Sequence, residues 1–189
     1  MNASTTELLT ERLRLRRVRP GDEDAVLALL SDERVVKYML FPTFSADQAA
    51  QFVQSLQAPP AAGERAQEVF GMALGNEAGL VGLCGLVLDP TATQGEAWYL
   101  TAPPYWGHGY VTEAVRALVD HGFRTVGLHR VWASCLPENP ASARVLEKLG
   151  FRREGCHRQN LNIHGAWRDS YTYAVVASEW PIAPGRSSA

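Results

Sequence analysis

A strand pattern, a glycine-rich turn and a helix pattern follow one another without interruption between residues 96 and 124. The strand pattern is Glu96–Thr101, which Ala102-Pro103-Pro104 ends, and the turn is Trp106-Gly107-His108-Gly109-Tyr110-Val111. The helix pattern, Thr112–Arg124, carries one apolar face made of Ala114, Val115, Leu118 and Val119. The sequence therefore places a helix N-terminus directly after a strand and a flexible turn.

The remaining patterns predict an α/β fold. Leu13–Arg16 alternates apolar and basic residues, as a strand with one solvated face does. A helix is predicted after Pro20-Gly21-Asp22, and a second one over Ala46–Gln57 with Ser45 as its N-cap. Antiparallel hairpins come first and a β-α-β-α-β run follows, which indicates a mixed sheet with helices on both faces. The other predicted strands are Val69–Leu74, Leu80–Leu88, Arg130–Leu136, Phe151–Cys156 and Asp169–Val176, and the other helix is Pro140–Leu149.

Length and composition restrict the class of protein. The 189 residues fit a single domain, which we assign to residues 1–180, followed by a flexible C-terminal tail over residues 181–189. A net charge of −2 argues against nucleic-acid binding. The three cysteines are far apart and the five histidines form no H-x-x-x-H pair, so no metal site is predicted. The first residues include acids and lack a long apolar run, so we expect a soluble, cytoplasmic protein without signal peptide or membrane anchor.

The glycine-rich turn has the composition of an anion site. Gly107 and Gly109 let the backbone approach a ligand and adopt positive φ angles. Free N–H groups at the start of the next helix, together with the positive end of its dipole, can bind a pyrophosphate. The turn lacks the third glycine of a Rossmann fingerprint and the Lys-Ser/Thr of a Walker A loop. Taken alone, it is equally compatible with a purely structural turn.

Two further segments leave alternatives open. Asn139 is a favoured N-cap, yet its amide could also hold a pantetheine amide, and the Ser142 hydroxyl one turn later could protonate a leaving thiolate. The other segment is a basic run near the N-terminus. It is either the solvated face of a strand or a contact for an acidic substrate or phosphate, and its members are Arg12, Arg14, Arg16, Arg17 and Arg19.

Taken together, these segments resemble the GNAT acetyltransferases, and in particular the RimJ/RimL-like branch that acetylates the N-termini of ribosomal proteins. The resemblance runs from Arg12 to Trp180, and it implies a mixed, mostly antiparallel, twisted sheet of about six to seven strands with helices on both faces. The chain departs from the family pattern at Val111, where a small residue is usual, and at Leu146, where many relatives carry a tyrosine general acid. The motifs that carry the resemblance are Tyr105–Ala114, Asn139–Phe151 and Gly165–Asp169.

The resemblance implies an N-acetyltransferase that uses acetyl-CoA and no metal, with direct attack in a ternary complex. It implies that the strand Trp98–Thr101 splays from Arg130–Leu136, and that backbone groups of Leu100 and Thr101 pair with the pantetheine arm. Asn139 would face the same arm. The pyrophosphate would lie on the turn, against Trp106, Gly107, His108, Gly109, Tyr110, Val111 and Thr112.

The resemblance also assigns the catalytic groups. With Leu146 in place of the usual tyrosine, Ser142 is the candidate general acid, and the alternatives are water or no acid at all. Glu96 is the candidate base acting through water, although an outward acid on a half-exposed strand explains its presence equally well. Asp169 and His157 are weaker candidates near the acceptor channel.

The acceptor amine stays open at this stage. An N-terminal α-amine, for example of a ribosomal protein, suits catalysis because its pKa of about 7.7–8.0 is well below the roughly 10.4 of lysine. The alternatives are a small-molecule amine or antibiotic and, in a different class, a non-catalytic module that binds acyl-CoA. A homodimer is also compatible with the sequence.

Overall fold

The computed structural model describes residues 6–60 and 63–181. All but the first residue of the predicted C-terminal tail lies outside the described residues, so that assignment stays a prediction. Among the described residues, none of the helices combines the length and apolar character that a membrane crossing requires.

Within the described residues, eight strands, numbered in chain order, form one sheet in the order β1-β2-β3-β4-β5-β6-β8-β7. All neighbouring pairs are antiparallel except β5 and β6, which are parallel. The predicted mixed, mostly antiparallel sheet is confirmed, and the strand count exceeds the expected six to seven because a two-residue strand precedes β2. The strands are β1 Leu8–Leu9, β2 Leu13–Arg17, β3 Gln67–Leu74, β4 Gly82–Leu88, β5 Gln94–Thr101, β6 Arg130–Cys135, β7 Arg152–Ile163 and β8 Ala166–Val176.

Helices cover both faces of this sheet. Two separate apolar clusters form the core, one beneath α1 to α3 and the other beneath α4 and α5. Neighbouring residues of β5 fall in different clusters, since Trp98 packs with the first group of helices and Tyr99 with the second. The helices are α1 Glu23–Leu30, α2 Glu33–Val36, α3 Ala46–Ser55, α4 Tyr110–His121 and α5 Pro140–Lys148.

Several element boundaries differ from the prediction for local reasons. Helix α4 begins at Tyr110 instead of Thr112, because Gly109 at φ 80° ends the turn, and it passes at Gly122 into a π-helical turn. Strands β7 and β8 form a longer hairpin than predicted. Register shifts between Arg153 and Gly155, and between His157 and Leu161, interrupt the alternation on which the sequence prediction relied.

One arginine of the basic run is buried, not solvated. Arg16 is 3% exposed and donates from Nη1 and Nη2 to the two carboxylate oxygens of Asp22, at 2.7 and 2.8 Å. Its Nη2 also donates to the carbonyl of Ala78 at 3.2 Å. Burial raises the pKa of Asp22, but hydrogen bonds from Arg16 and from the Arg19 N–H outweigh it and leave that pKa below its ordinary value. Arg16 thus ties β2 to the start of α1 and to the β3–β4 hairpin, and the solvated-face interpretation is wrong for it.

Candidate active site

The parallel pairing between β5 and β6 is short. The strands are in register from Gln94 opposite Arg130 to Glu96 opposite Trp132. Beyond that point β5 continues to Thr101, while the rest of β6 pairs only with β8 on its other side. The two strands therefore diverge into a cleft, as the resemblance implied.

The pairing of β5 with β4 decides which backbone groups face this cleft. The ladder runs without a register shift. At each of its ends the backbone hydrogen bond involves an even-numbered residue, Gln94 at the start of β5 and Ala102 just after its end. Gln94 accepts from the N–H of Asp89 at 2.9 Å, and Ala102 donates to the carbonyl of Val81 at 2.9 Å. Because hydrogen-bonded and non-hydrogen-bonded pairs alternate in an antiparallel ladder, the odd-numbered residues of β5 direct their backbone groups toward the cleft.

This alternation corrects one predicted contact. The N–H and carbonyl of Leu100 belong to the ladder with β4, so its backbone is not available to a pantetheine arm. Tyr99 and Thr101 occupy the cleft-facing positions instead. The carbonyl of Thr101 accepts from Nε1 of Trp106 at 2.7 Å, which fastens the glycine-rich turn to the end of β5. Trp106 also donates its backbone N–H to Pro103, so it anchors the turn and its N–H is not free for an anion.

Two carbonyls of the turn accept hydrogen bonds from side chains. Gly107 and Gly109 have φ angles of 78° and 80°. The Trp106 carbonyl accepts from Nδ1 of His108 at 2.9 Å, and the His108 carbonyl accepts from Nη1 of Arg12 at 2.9 Å. In a trans peptide the N–H points opposite to the carbonyl. These two bonds therefore direct the N–H groups of Gly107 and Gly109 away from the side chains of His108 and Arg12 that hold the carbonyls. Such an arrangement suits an anion.

Helix α4 adds its own N-terminal amides to the turn. The N–H of Glu113 donates to the carbonyl of the N-cap residue Gly109 at 3.0 Å, which is the first hydrogen bond of the helix. The N–H groups of Tyr110, Val111 and Thr112, which come before it, therefore have no partner within the helix. The side chain of Val111 packs against the core cluster beneath α4. Its bulk is therefore accommodated by the core.

A hydroxyl pair joins β5 to α5. Asn139 caps α5, its Oδ1 accepting from the N–H of Ser142 at 3.2 Å, which leaves its two amide N–H donors for other partners. The hydroxyl oxygens of Tyr99 and Ser142 are 2.8 Å apart, and Tyr99 also donates to the Ser142 carbonyl at 3.2 Å. Burial raises the pKa of Tyr99 well above its ordinary value, so the phenol keeps its proton. Tyr99 was not among the site residues predicted from the sequence. The one signal for it there is that it lies on the strand expected to splay.

Cys135 ends β6 beside this pair. Burial raises the pKa of its thiol to about 11, and the charge of Glu147 acts in the same direction. Cysteine acts as a nucleophile only as the thiolate, so Cys135 is a poor candidate for an acyl-enzyme intermediate at neutral pH. This favours direct transfer between two bound substrates.

Glu96 lies where β5 and β6 begin to diverge. By the alternation along β5 its side chain shares the face of Trp98, opposite to that of Tyr99. Burial raises the pKa of Glu96, and the positive charge of Arg65, whose Nη1 is 3.8 Å from the carboxylate, offsets part of that increase. A carboxylate with a raised pKa is a more effective base near neutral pH. Glu96 and the Tyr99–Ser142 pair therefore lie on opposite faces of β5, next to the point where its pairing with β6 ends.

The weaker candidates lie on the β7–β8 hairpin. Asp169 accepts from the N–H of Gln159 at 2.8 Å, across the irregular part of the hairpin, and His157 pairs in register with Ser170. Asp169 thus has a structural role in the hairpin. Within residues 6–60 and 63–181, no three His, Cys, Asp or Glu side chains come together as metal ligands would.

Comparisons with known proteins agree with this geometry. The family model of the acetyltransferase (GNAT) domain matches residues 12–152. The uncharacterized N-acetyltransferase YnaD of Bacillus subtilis is 33% identical over 173 residues, covering 92% of this chain and 98% of YnaD. The ribosomal protein uS5-alanine N-acetyltransferase of Escherichia coli is 35% identical over 88 residues, 47% of this chain and 44% of that enzyme.

A solved structure gives the same fold. The GNAT-family acetyltransferase from Bacillus anthracis superposes with a TM-score of 0.83 at 32% identity, covering 92% of this chain and all of the other. The match of the family model, the full-length relative and the shared fold lead to one conclusion. The chain belongs to the GNAT acetyltransferase family and is an acetyl-CoA-dependent N-acetyltransferase.

Proposed function

We propose that the enzyme acetylates the N-terminal α-amine of a protein such as a ribosomal protein, by direct attack of that amine on acetyl-CoA. The observation that carries this proposal is that Glu96 lies on one face of β5, where its pairing with β6 ends, and that the Tyr99–Ser142 pair lies on the other face. A half-buried carboxylate suits an amine whose pKa is only slightly above neutral, as that of an α-amine is. The partial similarity to an enzyme named for ribosomal protein uS5 supports the same class of acceptor.

The residues that would hold acetyl-CoA follow from the site. The pyrophosphate is assigned to the N–H groups of Gly107, Gly109 and the first turn of α4. The pantetheine arm is assigned to the cleft-facing backbone of Tyr99 and Thr101 and to the side-chain amide of Asn139. These assignments place the reacting thioester between β5 and α5. The relatives named above are bacterial proteins, and we propose that this enzyme acts in the cytoplasm.

The proposed reaction moves one proton on each face of β5. Glu96, through a water molecule, accepts a proton from the ammonium group, and the free amine attacks the thioester carbonyl. Cleft-facing N–H groups of β5 stabilise the oxyanion of the tetrahedral intermediate. When the C–S bond breaks, Ser142, whose hydroxyl Tyr99 holds in place, donates its proton to the sulfur and recovers, through water, the proton that the nitrogen loses on becoming an amide. A thiol pKa of about 8.5 makes the thiolate a good leaving group, so this second transfer assists moderately.

Thiol release from acetyl-CoA tests the acceptor class directly. We expect turnover with short peptides that have a free N-terminus and none with the same peptides after N-terminal formylation, even when they contain lysine. Turnover of a small amine with no turnover of peptides would instead assign a small-molecule acceptor. Absence of release with every amine, while acetyl-CoA binds, would contradict an enzymatic role.

The role of Glu96 predicts a particular pH dependence. A base works in its deprotonated form, so kcat/KM should rise with pH through the pKa of Glu96 and then follow the amine. Glu96→Gln should lower the rate at neutral pH, and the deficit should shrink as the pH approaches the pKa of the amine, because more acceptor is then already deprotonated.

Arg65→Met is the matched variant for this pH profile. It removes a positive charge that lowers the pKa of Glu96, so the acidic limb should move to higher pH while the rate at high pH is retained. A rate deficit of Glu96→Gln that is constant across the pH range would contradict the proton-transfer role and would assign Glu96 to positioning.

The hydroxyl pair predicts coupled effects on turnover. Ser142→Ala should lower kcat by about ten- to a hundredfold, the low end for loss of a general acid, with acetyl-CoA binding nearly unchanged. Tyr99→Phe should lower kcat by a smaller factor in the wild-type background. It should have no further effect in the Ser142→Ala background, because no hydroxyl is then left for Tyr99 to orient.

Tyr173→Phe is the control for anchoring of α5. The Tyr173 hydroxyl is also buried against this helix and donates to Glu147 at 3.0 Å, but it does not contact Ser142. We expect it to leave kcat unchanged. Equal losses in Tyr99→Phe and Tyr173→Phe would show that the hydroxyls only hold the helix in place, and the role of Tyr99 in orienting the Ser142 hydroxyl would be abandoned.

A further inference from the structure

The segment before β2 contacts the glycine-rich turn from the protein side. Arg12 donates from Nε to Oε2 of Glu113 at 2.7 Å, and its Nη2 is also 2.7 Å from that oxygen. The backbone N–H of Arg12 donates to Oε1 of Glu113 at 2.8 Å, and Thr10 donates to the same oxygen from its hydroxyl at 2.6 Å. We call Thr10, Arg12 and Glu113 the clamp. It joins residues that are about a hundred positions apart in the chain.

The clamp is held by the sheet at one end and reaches the turn at the other. The carbonyl of Arg12 accepts from the N–H of Gly75 at 2.9 Å, at the point where β2 begins to pair with β3. Its guanidinium carbon lies 4.7 Å from the ring centre of Tyr110. Its Nη1 donates to the carbonyl of His108 at 2.9 Å. Arg12 therefore connects a fixed part of the sheet to the middle of the turn.

The electrostatics of the clamp favour its closed form. Burial raises the pKa of Glu113, but hydrogen bonds from Thr10 and from Arg12 outweigh it and leave that pKa below its ordinary value. Glu113 is thus ionised at neutral pH, and it lies in the first turn of α4, where a negative charge is favoured by the helix dipole. Glu113 thus compensates the charge of Arg12, and the guanidinium is held by protein partners, Glu113 and the His108 carbonyl.

We propose that Arg12 is a positioning residue for the pyrophosphate of acetyl-CoA, acting through the His108–Gly109 peptide and not by touching the phosphate. By holding the His108 carbonyl, it directs the N–H of Gly109 to the opposite side, where the anion binds. The inference rests on the assignment of the turn to the pyrophosphate. It also gives the basic run a third role, because Arg12 serves an anion site without contacting the anion.

The test compares two ligands that differ in the pyrophosphate. Dissociation constants for CoA are measured by calorimetry, and those for pantetheine, which lacks the nucleotide and pyrophosphate, by competition. Arg12→Met should weaken CoA by about ten- to a hundredfold, the range expected for lost charge-assisted hydrogen bonds, and leave pantetheine unchanged. Arg12→Lys keeps the charge without the forked geometry and should recover only part of the loss.

Two further variants separate the clamp from general effects. Arg130→Met removes a similar two-pronged ion pair, with Glu154, at the other end of β6 from the cleft, and it should leave both ligands unaffected. Glu113→Gln keeps the carbonyl acceptor for Thr10 but loses the ion pair, and it should weaken CoA selectively. If Arg12→Met does not fold, Glu113→Gln decides the outcome.

The possible results differ in meaning. Selective loss of CoA affinity supports the clamp. Unchanged CoA affinity in a folded Arg12→Met protein, or in Glu113→Gln where that variant decides, overturns it, as does an equal loss for CoA and pantetheine. If the wild-type protein itself fails to bind CoA, the assignment of the cofactor site falls together with the clamp.

Discussion

The short parallel pairing of β5 with β6 is the constraint on which the site depends. The two strands share three register positions, and afterwards β6 pairs only with β8 while β5 keeps its ladder with β4. Because the strands are parallel, the helices that follow them, α4 and α5, both begin at the end where the cleft opens. One divergence thus brings together a strand edge with unpaired backbone positions, an anion-binding turn and the Asn139–Ser142 cap.

Burial has different consequences for Glu96, the proposed base, and for Tyr99, which contacts the proposed acid Ser142. It raises the pKa of Glu96 toward the range where a carboxylate accepts a proton from an amine, and it keeps the phenol of Tyr99 protonated. Glu96 and Tyr99 are an odd number of positions apart, so the alternation of β5 places their side chains on opposite faces of the strand. Acceptance and donation of protons are therefore kept apart by the geometry of the strand.

Local patterns predicted the elements of the site, but not how strands and distant segments combine. The strand–turn–helix order and the Asn139 cap depend on nearby residues, and both are present in the structure. The backbone direction of Leu100 depends on register with β4, which periodicity along one strand does not specify. The roles of Tyr99 and Arg12 arise from partners 43 and 101 positions away, so nothing in their own neighbourhood marks them.

Binding of CoA to two glycine variants tests the anion-binding turn most directly. Gly107 and Gly127 have similar φ angles, 78° and 84°, and a Cβ at either would meet no atom within 4 Å, so an aspartate imposes the same strain and charge at both. Only Gly107 lies in the turn. We expect Gly107→Asp to lower CoA affinity in calorimetry by at least about a hundredfold, because the carboxylate repels the pyrophosphate and the side chain keeps it from the backbone N–H groups. Gly127→Asp should bind CoA as the wild type does. Unchanged affinity in a folded Gly107→Asp protein would contradict this expectation.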